Sequence, residues 1–127
     1  MAFLGSHHIA MKAVNFEAVK AFYTETLGFE IIGTLGASVV FIDIGGTTIE
    51  LSPAAEGVCP QPTPGCGLLH LAWEVDDVTA TADLLKAKGV EFFIEPKVIN
   101  DDLEIAFFKD PDGNELELFK SKSLTWN

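Results

Sequence analysis

Hydrophobic and polar residues alternate over residues 7–14, and that period predicts a β-strand. From Asn15 the period changes. Phe16, Val19, Phe22, Tyr23 and Leu27 recur at helical spacing, with Asn15 as a plausible N-cap and Gly28 as the stop. Residues 29–34 and 38–44 read as strands around a Gly-containing turn, and Gly45-Gly46 makes a tight hairpin into a strand over 47–52. Pro and Gly crowd residues 53–67, which read as a linker. The plan then recurs. A strand over 68–75 is followed by Asp76 or Asp77 as N-cap and a helix to about Lys88, stopped by Gly89. Strands near 91–97 and 103–109 follow, and Asp110-Pro111-Asp112-Gly113 turns the chain into a last strand over about 114–119.

The recurrence extends to residue identity. HIAMKAVNFEAVKAFYTETLGFE at 8–30 aligns with HLAWEVDDVTATADLLKAKGVEF at 70–92. Both open with His, an aliphatic residue and Ala, and both reach Gly at nearly the same interval. TTIELSP at 47–53 aligns with NELELFK at 114–120. A repeat of this kind predicts two similar supersecondary units. The expected fold is α+β: two paired βαβββ modules forming a curved mixed sheet, helices on one side. The whole chain, 1–127, is expected as one domain, with module one at about 7–52, the linker at about 53–67 and module two at about 68–120.

Strand alternation sorts the polar residues by face. Ile9, Met11 and Ala13 oppose His8, Ala10 and Lys12, and Ile49 and Leu51 oppose Thr48 and Glu50. Leu69, Leu71, Trp73 and Val75 oppose His70, Ala72 and Glu74, and Leu116 and Leu118 oppose Glu115 and Glu117. His8, Glu50, His70 and Glu117 therefore each lie opposite an apolar row. Parity does not separate Glu115 from Glu117, but the match of TIEL with ELEL selects Glu117. Two of the three histidines fall at equivalent repeat positions, while His7 is expected on the face opposite His8. Two imidazoles and two carboxylates suit a divalent first-row cation, and an octahedral ion would keep two positions for water or substrate. Most of the strand aromatics Phe41, Trp73, Phe107 and Phe108 are expected in the core. Phe119 shares its parity with Glu117 and is a candidate pocket wall.

Composition narrows the function classes. The net charge of −11 is unfavourable for nucleic acid or an anionic membrane surface. At 48% hydrophobic residues the chain is too apolar for disorder, and no apolar run nears the ~20 residues of a membrane helix. The opening MAFLGSHH lacks the basic and apolar regions of a signal peptide, which points to the cytoplasm. The two cysteines, Cys59 and Cys66, are expected as free thiols in that setting.

The stretches HHIAMKAV, FYTETLGFE, TTIEL, LLHLAWEVDDV and DPDGNELEL, in this order, resemble the vicinal oxygen chelate superfamily, the glyoxalase I-like fold, over about residues 7 to 120. The resemblance implies a metal site in a cleft, a divalent ion (Ni, Co, Zn, Mn or Fe) held by His8, Glu50, His70 and Glu117. Glu at position 50 is similar to glyoxalase I, lactoylglutathione lyase. The implied reaction is a lyase or isomerase proton transfer through a metal-stabilised enediolate, with Glu117 as mobile ligand and base and Glu50 acting from the mirrored side. Epimerases of methylmalonyl-CoA, which typically carry Gln at that position, non-haem iron dioxygenases and small-molecule resistance proteins are the alternative readings. The expected substrate is a small molecule, with Lys12 and Phe119 as expected contacts, and the expected assembly is a homodimer. Where bacterial glyoxalase I usually holds glutathione with Arg and Asn, this chain has Lys12 and Ala54, and the tyrosine often found after DPDG is Asn114.

Overall fold

The structure, a computed structural model, describes residues 4–57 and 70–125. Cys59, Cys66, Leu69 and most of the expected linker lie outside the described residues. The chain divides into two compact units, Met1–Pro60 and Gln61–Asn127. Each carries one βαβββ motif and one four-stranded mixed sheet, and neither sheet is closed.

In the first unit β1 (Ile9–Ala13) leads through α1 (Phe16–Ala21) to β2 (Glu30–Leu35), β3 (Val39–Asp43) and β4 (Thr48–Pro53). The strand order is β1-β4-β3-β2, with β1 parallel to β4 and the other pairings antiparallel. A right-hand neighbour in sequence is thus not the neighbour in space: the helix carries β1 away, and the hairpins bring β4 back beside it. The hairpin from β3 to β4 forms because Gly45 and Gly46 both hold positive φ, +90° and +92°, as a two-residue turn of matching twist requires. Asp43 Oδ1 accepts from the Gly45 amide at 2.9 Å and steadies the turn.

The helix expected between the Asn15 cap and Gly28 is two pieces. After Ala21 the chain makes a π-helical turn, Phe22–Thr26, in which the Leu27 amide donates to the Phe22 carbonyl. Thr24 Oγ1 donates to the Lys20 carbonyl at 2.8 Å, a back-bond that bends helices. The wider turn leaves Tyr23 fully buried. Asn15 contributes its carbonyl to Val19 N–H but no side-chain cap.

The second unit repeats the order: β5 (His70–Glu74), α2 (Val78–Ala87), β6 (Phe92–Val98), β7 (Leu103–Lys109) and β8 (Glu115–Ser121), arranged β5-β8-β7-β6. Asp77 is the N-cap, accepting from Ala80 N–H at 2.9 Å, and Lys86 pairs with Glu95. The turn before β8 is organised by Asp110, whose Oδ1 accepts from the amides of Asp112 and Asn114 while Oδ2 accepts from Asn114 Nδ2. That turn sets the register of β8 against β7.

The apolar rows pack as their alternation predicts. Ala13, Ile49 and Leu51 are buried in the first unit with Val19 of α1, and Leu116 and Leu118 in the second with Val78, Ala82 and Leu85 of α2. Among the described residues no helix is long and apolar enough to cross a membrane.

Candidate metal centre

In the first sheet the register sets Ala10 beside Glu50 on one side and Phe41 beside it on the other. Cross-strand partners share a face, so the three stand together, opposite buried Ile49 and Leu51. His8, two residues ahead of Ala10, reaches the same group. Its Nε2 lies 3.8 Å from Glu50 Oε2, and its ring meets Phe41 nearly edge-on, centroids 5.7 Å apart. The short side chain of Ala10 leaves room for imidazole and carboxylate to approach.

The second sheet repeats this arrangement residue for residue. Ala72 and Phe107 flank Glu117 in the register. His70 Nε2 lies 3.1 Å from Glu117 Oε1, and the His70 ring stands edge-on to Phe107, centroids 5.2 Å apart and planes at 89°. Each unit therefore holds one copy of the same four-residue group: His, Ala, Glu and Phe.

The copies differ in solvation. Glu50 is half-buried, whereas Glu117 is only 7% exposed. Burial pushes the Glu117 carboxyl above the usual carboxylate range, and the nearby His70 opposes that shift. The exposed Glu115 stands opposite His70 in the register, but the carboxylate that reaches the His70 ring is that of Glu117.

The structure thus joins His8 to Glu50 and His70 to Glu117. Among the described residues no group of three or more His, Cys, Asp or Glu side chains is arranged to hold a cation. Lys12 is exposed on β1, on the His8 and Ala10 face by alternation. Phe119 is half-buried on β8, two residues from Glu117 and facing the same way, with Ile105 and Glu74 as its register partners.

Most of Phe41, Trp73, Phe107 and Phe108 are expected in the core, but Phe108 alone of the four is fully buried; Trp73 is half-buried, and Phe41 and Phe107 are half-buried on the carboxylate face. The adjacent Phe107 and Phe108 must face opposite ways in a strand, so one of them had to leave the core. His7 was expected opposite His8, yet its Nδ1 lies 2.9 Å from His8 Nδ1 and its ring is edge-on to both His8 and Phe41. Residue 7 precedes β1, where alternation does not govern direction.

A family model described as the Glyoxalase/Bleomycin resistance protein/Dioxygenase superfamily matches residues 5–118. The chain belongs to that superfamily. The superfamily match spans both His–Glu pairs. Among curated relatives, the ethylmalonyl-CoA/methylmalonyl-CoA epimerase of Cereibacter sphaeroides is 32% identical over 121 residues, covering 85% of this chain and 90% of the relative. A protein named "Probable lactoylglutathione lyase" from Vibrio parahaemolyticus is 30% identical over 128 residues, covering 93% of this chain and 91% of the relative. Among solved structures, a glyoxalase family protein from Enterococcus faecalis superposes with a TM-score of 0.79 at 30% identity, covering 94% of this chain and 100% of that one.

Proposed function

We propose that this superfamily member is a metal-dependent lyase or isomerase resembling glyoxalase I, which moves a proton between adjacent carbons of a small-molecule substrate. The observation that carries the reading is the duplicated His–Glu pair, held in the same register with the same flanking Ala and Phe in both units. The donor chemistry fits a divalent first-row cation: two neutral imidazole nitrogens and two carboxylates, which balance a 2+ charge. His8, Glu50, His70 and Glu117 would hold it.

A bound cation of this kind supplies Lewis-acid polarisation of two adjacent substrate oxygens, which acidifies the neighbouring C–H. The chain's own residues do the rest. Glu117 takes the proton at its carboxylate and returns it to the adjacent carbon. The Glu117 carboxyl is 7% exposed, and burial raises it above the ordinary carboxylate range, the direction that favours a proton carrier. Glu50 would be the second carboxylate available to the substrate. Lys12 offers a point charge to an anionic substrate group, without the bidentate fork of an arginine, and Phe119 supplies apolar wall.

The epimerase relative supports a second reading, in which the same two carboxylates exchange a proton on opposite faces of an acyl-CoA α-carbon. Protein reconstituted in turn with Zn, Ni, Co, Mn and Fe should be tested in two assays. One follows conversion of a methylglyoxal and glutathione mixture. The other follows uptake of deuterium into methylmalonyl-CoA from heavy water. Turnover in the first that Glu117→Gln abolishes supports the lyase, and exchange in the second alone supports the epimerase. Cation binding that survives both His8→Ala and His70→Ala would overturn the ligand assignment.

A further inference from the structure

We infer that His7 is a positioning residue for His8: it accepts the His8 Nδ1 proton and so sets the tautomer that leaves His8 Nε2 open to a cation. The inference rests on His8 being a ligand, and the geometry beside it is a separate observation. The two Nδ1 atoms lie 2.9 Å apart, hydrogen-bond distance for ring nitrogens. One hydrogen fits between them, so one ring donates and the other accepts.

A cation on His8 Nε2 requires the lone pair there. In a neutral imidazole the ring hydrogen is then on Nδ1, where it points at His7. His7 must accept at Nδ1 and keep its own hydrogen on Nε2. In the reverse arrangement His7 donates, and the hydrogen of His8 sits on Nε2, facing Glu50 Oε2 at 3.8 Å. That tautomer suits the cation-free protein and is surrendered when the cation binds.

The His7 ring is held by more than this bond. Its centroid lies 5.1 Å from that of His8 and 6.3 Å from that of Phe41, with planes at 79° and 82°. With His8 edge-on to Phe41 as well, the three rings brace one another. The device belongs to the first half alone, because the position before His70 is Leu69, which has no side-chain acceptor. Ligating imidazoles ordinarily anchor their second nitrogen on a carboxylate, carbonyl or water, and losing such an anchor weakens metal binding by roughly 10–100-fold. Here the anchor is a neighbouring imidazole.

The test uses the full chain with Zn²⁺ alone. Affinity is measured by competition with a chromophoric chelator for the parent protein and for His7→Phe, His7→Asn and His8→Ala. His7→Phe keeps an aromatic ring against Phe41 but removes the acceptor, and affinity should fall roughly 10–100-fold. His7→Asn returns an oxygen near the former Nδ1 and should restore most of it. Long-range ¹H–¹⁵N spectra of the loaded parent protein should show His8 protonated at Nδ1. Parental affinity in His7→Phe, or His8 protonated at Nε2 when loaded, would overturn the positioning role while leaving the ligand assignment standing. Parental affinity in His8→Ala would overturn that assignment and the positioning role with it.

Discussion

Replacing Glu117 by glutamine should shift stability in opposite directions with and without a divalent cation. The Glu117 carboxyl is 7% exposed, and burial raises its pKa with His70 opposing. A folded-state pKa above the unfolded one stabilises the fold fully below the unfolded pKa, and that contribution disappears as pH rises through the folded pKa. Above the folded pKa the ionised carboxylate has lost it, whereas an uncharged amide of the same shape carries no such penalty. Cation-free Glu117→Gln should be at least as stable as the parent at pH 7, with the gap narrowing as pH falls into the carboxylate range. Zn²⁺ at a hundred times its Kd should add about 2.7 kcal/mol to the parent by mass action. For a chain of 127 residues that is a Tm rise on the order of 10 °C. Glu117→Gln lacks one of four proposed donors and should gain far less, so the order of the two proteins reverses on loading. Glu115→Gln, at an exposed position on the same strand, should keep the parental response. Calorimetric unfolding at pH 7 and pH 5, with and without Zn²⁺, reads all of this. A cation-free Glu117→Gln less stable than the parent at pH 7, or one that keeps the full Zn²⁺ shift, would refute the reasoning.

Gly46→Ala should cost about 1–2 kcal/mol in the denaturant midpoint: an added Cβ meets nothing within 4 Å, so the cost comes from the φ of +92° and not from a clash. Asp77→Ala removes the cap on Ala80 N–H and should cost about 1 kcal/mol, with faster hydrogen exchange at that amide. Asp102→Ala should release the C-terminal stretch, since Asp102 accepts from the amides of Lys122 and Ser123 and from the hydroxyls of Ser121 and Ser123; exchange at both amides should accelerate. The Ser123 hydroxyl bond leads the effects that hold the Asp102 carboxyl below its ordinary value, against a smaller opposing desolvation. The resulting stabilisation is present above the unfolded pKa and lost as pH falls through the folded one, so parent and variant should converge in acid.

The fold was legible because each half is punctuated by residues with a single conformational use. Gly28 and Gly89 stop the helices with φ of +81° and +90°, and Gly45-Gly46 and the Asp110 turn fix where strands reverse. The π-helical turn at Phe22–Thr26 was not legible. The spacing of Phe22, Tyr23 and Leu27 suits a continuous helix, and the interruption depends on the Thr24 back-bond and the burial of Tyr23. Asp76 and Asp77 were equal candidates for a cap until the backbone placed Ala80 N–H within reach of Asp77.

The site was legible only as far as strand parity reaches. Parity puts Glu50 and Glu117 opposite the buried rows but is silent on depth along the strand, so it cannot show that Glu117 is buried and Glu115 exposed. The missing information lay in the turns. Counting outward from Gly45-Gly46 pairs Ile44 with Thr47, then Ile42 with Ile49, and so Phe41 with Glu50. Counting outward from Asp110 and Asn114 pairs Phe108 with Leu116, and Phe107 with Glu117. Both counts place a phenylalanine beside the carboxylate, and both could have been made from sequence. His7 lay beyond any such count, because its direction depends on three rings packing against one another just before β1 begins. The repeat therefore accounts for what the halves share, a His and a Glu braced by Ala and Phe. What separates them is in one case sequence, His7 before His8 where Leu69 stands before His70, and in the other tertiary packing, which buries Glu117.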